Sequence, residues 1–139
     1  MKPEEVKRLA PTMALFLKTM RTKGEITPAQ PWDASRIISR WHNSYSGQPP
    51  NNDKDWREIV HYLRSELGEP IGSNVTGYWY CLSEREWDET RKQLLARIKD
   101  IQRAADGPSL KFKQDKDKEL LLNHPVTEAI KEQFNAREV

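Results

Sequence analysis

Cysteine is almost missing from this chain. Cys81 is the single one among 139 residues, which excludes an internal disulfide framework and a cysteine-rich zinc site and points to a reducing compartment. Long apolar runs are missing as well. No stretch approaches the roughly 18 consecutive apolar residues of a membrane span, and the N-terminal MKPEEVKRLAPTM has no apolar core of the secretory kind. A cytoplasmic location and no membrane partner are therefore expected. Charge of one sign is scarce too: the formal net charge is +2, too little to argue for nucleic acid by itself. There is no phosphate-cradling glycine loop, no HExxH, and no Ser or Cys nucleophile with a recognisable base. No catalytic residue, metal ligand or cofactor is assigned, and a non-enzymatic role is expected. No period of 20 to 50 residues repeats, which sets solenoids aside.

What is present suits one compact domain with an appendage. The 36% hydrophobic and 32% charged composition leans toward a helix-rich protein with a modest core. Residues 1–65 hold eleven Lys and Arg against seven Asp and Glu, whereas 66–107 hold six against eight and 108–139 six of each, so positive surface is confined to the first half. Residues 1–10 read as an N-terminal extension ended by Pro11, since proline costs about 3 kcal/mol inside a helix. The domain proper is expected over 11–107. Met13, Phe16, Leu17 and Met20 share one face of its first helix, which Gly24 ends, and Glu25 to Thr27 form a short connecting strand able to pair with a later hairpin. Thr27 to Gln30 has the form of a capping box, with Pro31 a possible restart, ahead of a second helix whose buried stripe is Ala34, Ile37, Ile38 and Trp41.

The centre of the chain is Asp53 to Leu82. Trp56, Ile59, Val60, Leu63 and Leu67 follow the helical period and define a buried face, while Lys54, Arg57, His61, Arg64 and Ser65 form a polar stripe opposite. Gly68 can end this helix in the left-handed conformation. The period then changes: 69–73 and 78–82 read as two short strands joined by Asn74 to Gly77, with a positive φ expected at Gly77. Alternation sends Trp79 and Cys81 to one side and Tyr78, Tyr80 and Leu82 to the other.

Ser83 to Glu86 is a well-formed capping box, and the carboxylates over 84–89 suit a helix N-terminus. That helix is expected to run to about Ala105, with Trp87, Leu94, Ile98 and Ile101 on a narrow seam that either covers the core or pairs with a second copy; dimerisation is the favoured reading. Asp106 to Ser109 is expected to close the domain. Residues 108–139 then read as a charged linker and a short helical tail opened by Pro125, with Val126, Ile130 and Phe134 in line and 120–136 available to a protein partner. Four of the five tryptophans sit at or beside apolar helix positions and read as core; Trp79 is the exception.

The expected class is mainly α with a small β-hairpin, that is, α+β. The order of elements resembles the winged helix-turn-helix fold with a long C-terminal helix. Ile59-Val60-His61-Tyr62-Leu63-Arg64, then Gly68, Pro70-Ile71-Gly72-Ser73 and Gly77-Tyr78-Trp79, resemble the recognition helix and wing of biotin-repressor-type winged helices and of small bacteriophage and prophage winged-helix proteins. The resemblance implies sequence-specific binding of double-stranded DNA, as a homodimer, in transcription regulation or at a replication origin, in a bacterial host cytoplasm. Helix contacts would come from Lys54, Arg57, His61, Arg64 and Ser65, and wing contacts from Ser73, Asn74 and Thr76. Three departures accompany it: a long loop from Ser44 to Asn52, acidic Asp53, Asp55 and Glu58 beside the stripe, and a wing without Lys or Arg. They leave open an ordinary solvated helix face, or an adaptor that grips a host or replisome protein.

Overall fold

The computed structural model describes residues 1–122, with side chains to Leu120, and divides into two units, Met1–Gln93 and Leu94–Val139. Its elements are α1 (Pro3–Thr22), α2 (Ala34–Ser44), α3 (Asp53–Ser65), β1 (Ile71–Ser73), β2 (Tyr78–Tyr80) and α4 (Glu84–Leu122). The described residues are thus mainly helical with one small antiparallel hairpin. Among the described residues, no helix is long and apolar enough to cross a membrane.

In the first unit, α1 runs straight through Pro11, where a break was expected, so residues 3–10 are its first turns and Val6, Leu9 and Ala10 join the core. Its stripe extends the helical period backwards: Val6, Leu9, Ala10, Met13, Ala14, Leu17 and Met20 are all buried, and Phe16 packs against them. Burying Val6 and Leu9 is worth roughly 3–6 kcal/mol, enough to offset the ~3 kcal/mol of an interior proline. Pro11 itself points to solvent.

Thr27 to Gln30 is a closed turn rather than a helix start. Its backbone bonds run both ways between Thr27 and Gln30, and the Thr27 hydroxyl accepts from the Gln30 N–H at 3.0 Å. Pro31 disfavours helical backbone at Gln30, so no helix propagates. Helix α2 instead begins after Asp33, whose carboxylate accepts from the Arg36 N–H at 2.8 Å. The strand expected at Glu25 to Thr27 is also displaced: Trp32 makes the bridge to the hairpin, exchanging both backbone bonds with Tyr78 at 3.2 and 2.8 Å.

The long connection after α2 is pinned along its length. Tyr45 stacks on Trp41 with ring centroids 4.0 Å apart, the Trp41 indole donates to the Pro49 carbonyl at 3.1 Å, and the His42 ring bonds the Pro50 carbonyl at 2.9 Å. Asn52 then caps α3 through the Asp55 N–H. As the spacing predicts, Trp56, Ile59, Val60 and Leu63 are buried. Leu67 is not, at 41% exposure, because α3 ends at Ser65; Gly68 takes the positive φ of +65°.

The hairpin pairs Ile71 with Tyr80, Gly72 with Trp79 and Ser73 with Tyr78. Gly77 does not adopt a positive φ, contrary to expectation. It is glycine because a Cβ there would collide with the Trp32 backbone. Gly72 has a parallel reason: a Cβ would lie 2.5 Å from the Trp79 ring, which occupies that space. Both sides of β2 are covered, since Trp79 and Cys81 are buried on one while Tyr80 is buried and Tyr78 meets Trp56 edge-on at 5.2 Å on the other; Leu82 stays exposed.

The residues of the expected capping box do cap α4, but the return bond falls one residue earlier than a capping box places it. Ser83 accepts from the Glu86 N–H, Glu86 accepts from the Leu82 N–H, and the same carboxylate pairs with Arg21 at 2.6 Å. In the second unit the helix continues to Leu122, through the Asp106 to Ser109 segment expected to close the domain. Every described side chain from Leu95 to Leu120 is exposed, so the Ala104 carbonyl that Pro108 cannot bond is free to take water, and the opposite charges of Lys111 with Asp115 and Lys113 with Asp117 favour helix beyond it. The short helix expected from Pro125 lies outside the described residues.

Candidate nucleic-acid interface

Two elements meet at the candidate site, the outer face of α3 and the hairpin that follows it. On α3, Lys54, Arg57, His61 and Ser65 are exposed on one side, while the buried stripe fixes the helix against the core. Lys54 has no partner among the described residues. Arg57 pairs with Asp53 at 3.1 Å, but both side chains are about two-thirds exposed. Such a pair is worth only about 0.3–0.5 kcal/mol, so a phosphate can displace the carboxylate. Ser65 donates to the His61 carbonyl at 2.7 Å, a local bond that keeps its hydroxyl close to the helix.

Arg64 does something different from what its place on the stripe implies. Its guanidinium turns onto the hairpin: Nε and Nη2 donate to the Ile71 carbonyl at 2.9 and 2.6 Å, and Nη2 donates to Ser73 Oγ at 3.0 Å. The group also lies over the Trp87 ring, 5.8 Å from its centroid. Arg64 is therefore a brace between α3 and β1. Ser73, expected as a wing contact, is held from two sides, since its N–H donates to Thr90 Oγ1 at 3.0 Å while its hydroxyl accepts from Arg64.

The wing tip is equally ordered. Asn74 Oδ1 accepts from the N–H groups of Thr76 and Gly77 at 2.8 and 3.1 Å, and the Asn74 N–H donates to the Gly77 carbonyl at 2.9 Å. What remains outward is Thr76, fully exposed Val75 and the amide end of Asn74.

The acidic residues on α3 have partners that lessen their repulsion of an anion. Asp55 accepts from the Asn51 N–H at 3.1 Å, and the Met1 ammonium lies 3.1 Å from Glu58 and 3.8 Å from Asp55, whereas Asp53 is offset only while Arg57 stays with it.

Two titrating groups behind the hairpin are shifted. Burial, reinforced by its 2.6 Å bond to Glu69, pushes the Tyr80 phenol up to about 12. Burial, with Glu86 adding to it, pushes the Cys81 thiol up, so it stays protonated and inert.

The spacing thus brings together Lys54, Arg57 and His61, whereas Arg64 and Ser73 act inside the site. Thr90 was missed, although a signal existed: it lies three residues after Trp87 and four before Leu94, a polar residue on the apolar face of α4. Its burial at 1% exposure follows from its bond to Ser73. Of the proposed dimer seam, Trp87 packs against the core, while Ile98 and Ile101 are 57% and 64% exposed. No protein-family model matches the chain, and neither a curated protein nor a solved structure is found to match it.

Proposed function

We propose that residues 1–93 are a winged helix-turn-helix unit that binds double-stranded DNA, with α3 entering the major groove and the hairpin lying against the adjoining backbone. The observation that carries this reading is the exposed face of Lys54, Arg57 and His61 beside a hairpin that Arg64 locks to the same helix. A helix of 13 residues is about 20 Å long and fits the major groove, and a fixed angle between helix and wing lets both meet one duplex together. Affinity rests on Lys54 and Arg57, since the wing has no cation. Base discrimination falls to Arg57, able to bind guanine in a bidentate manner, and to His61. Such a unit serves transcription control or origin recognition without chemistry of its own.

Selection of the full chain on random duplexes tests the proposal. Enrichment of a common sequence is the expected result, and failure to retain any duplex at low salt refutes it.

One observation favours a second reading, a protein-interaction adaptor. A groove of about 410 Å³ lined by Pro11, Ala14, Leu15, Lys18, Leu67, Glu69 and Tyr80 leaves Leu15 65% exposed and Leu67 41% exposed. Co-purification of a stable protein partner that is lost with Leu15→Asp, together with absence of duplex binding, would establish it.

A further inference from the structure

The hairpin carries no Lys or Arg, yet under the proposed function it lies against a phosphate backbone. A cation stands beside it on α2. Among the described residues, five of the six arginines on α1, α2 and α3 place their guanidinium on an oxygen: Arg8 on Gln48, Arg21 on Glu86, Arg40 on Glu25, Arg57 on Asp53 and Arg64 on Ile71. Arg36 does not. Its side chain is exposed, the guanidinium carbon lies over the Trp32 ring at 4.0 Å from the centroid, and among the described residues no acceptor meets its N–H groups.

Contacts fix where this cation stands. Trp32 exchanges both backbone bonds with Tyr78, at the tip end of β2, and Gly77 comes so close that a Cβ there would lie 2.3 Å from the Trp32 carbonyl oxygen and 2.8 Å from the Asp33 nitrogen. Tyr78 in turn meets Trp56 edge-on at 5.2 Å, and Trp56 lies on α3 between Lys54 and Arg57. Arg36 is thus carried on the β2 side of the hairpin tip, whereas Arg64 braces β1. We infer that Arg36 bonds a backbone phosphate of the duplex beside that tip, a third cationic contact next to Lys54 and Arg57. The inference rests on the DNA-binding reading of residues 1–93. Contact with the indole holds the guanidinium in place without engaging its charge on a carboxylate, and its planar fork of donors matches two oxygens of one phosphate. Asp33, the carboxylate closest in sequence, accepts the Arg36 backbone N–H at 2.8 Å and makes no ion pair with the guanidinium.

The same contact covers Trp32, which is 7% exposed, so charge has to be separated from cover. Fluorescence anisotropy of the full chain on a labelled duplex of mixed sequence, across a salt series, does so. Arg36→Ala should bind with a slope of log K against log salt shallower by about 0.9, the share of one phosphate contact, whereas Arg36→Lys keeps a cation there and should hold the wild-type slope. Emission of the five tryptophans reports the folding of each variant. A role confined to covering Trp32 would instead weaken binding by one factor at every salt and leave the slope alone. That outcome, or a slope in Arg36→Lys as shallow as in Arg36→Ala, overturns the inference; a shallower slope in Lys54→Ala plus Arg57→Ala would then still uphold the DNA-binding reading. Absence of duplex binding by the wild type at low salt refutes that reading and the inference with it.

Discussion

Removing the Arg64 side chain should unfold much of what makes the site a site. In Arg64→Ala the Ile71 carbonyl loses both guanidinium bonds, Ser73 Oγ loses its donor, and the Trp87 face is uncovered. Ile71 is fully buried, so its carbonyl has little recourse to water, and an unpaired buried acceptor costs about 1–3 kcal/mol. Loss of the cation over the indole adds about 0.5–1 kcal/mol. The two bonds to one carbonyl share an acceptor and cannot be counted twice, which leaves a total of about 2–4 kcal/mol. For a unit of this size that is a fall of roughly 10–20 °C in Tm. Tryptophan emission on heating or in urea reads the change in residues 1–93 alone, because all five tryptophans lie there. Arg64→Lys should fall between, as one ammonium reaches one acceptor well. The comparison variant is Arg57→Ala, whose exposed pair with Asp53 should move stability by less than about 0.5 kcal/mol. If Arg64→Ala matched Arg57→Ala in stability and lost only DNA affinity, the brace would be refuted and Arg64 returned to the contact face.

Other consequences follow from particular residues. Gly77→Ala places a Cβ against the Trp32 backbone and should cost about 1–3 kcal/mol or more by urea denaturation, with the Trp32–Tyr78 bridge broken. Pro11→Ala restores an N–H to the carbonyl of Lys7 and should stabilise the chain by about 1–2 kcal/mol, the gain in the helix exceeding the entropy returned to the unfolded chain. Tyr80 titrates near 10 when unfolded and near 12 when folded, so its contribution is fully present below pH 10 and is lost as pH rises toward 12. Tyr80→Phe should flatten that alkaline decline in a pH series of Tm values.

The parts that repeat at a period were legible from sequence. The α3 stripe from Trp56 to Leu63, the α2 stripe and the cap at Ser83 all report themselves within one or two turns. Pro11 misled because a local rule was set against a stripe whose earlier half, Val6 and Leu9, outweighs it only when burial is counted. Trp32 left no signal, since a one-residue bridge has no alternation to read. Leu67 fell outside because where a helix unwinds depends on the strand that follows. Arg64 shows the limit most clearly: spacing places its Cβ on a face but says nothing of where a long side chain turns. Its target lay seven and nine residues away at Ile71 and Ser73, across a glycine turn.

The central claim is that α3 holds duplex DNA through Lys54 and Arg57. Its most direct test is fluorescence anisotropy of the full chain on labelled duplex across a salt series, beside Lys54→Ala plus Arg57→Ala. Each phosphate contact contributes about 0.9 to the slope of log K against log salt, so loss of the Lys54 contact alone should make the variant's slope shallower by at least about 0.9, with Tm unchanged. Equal slopes for the two proteins, or no duplex binding by the wild type at low salt, would contradict the account.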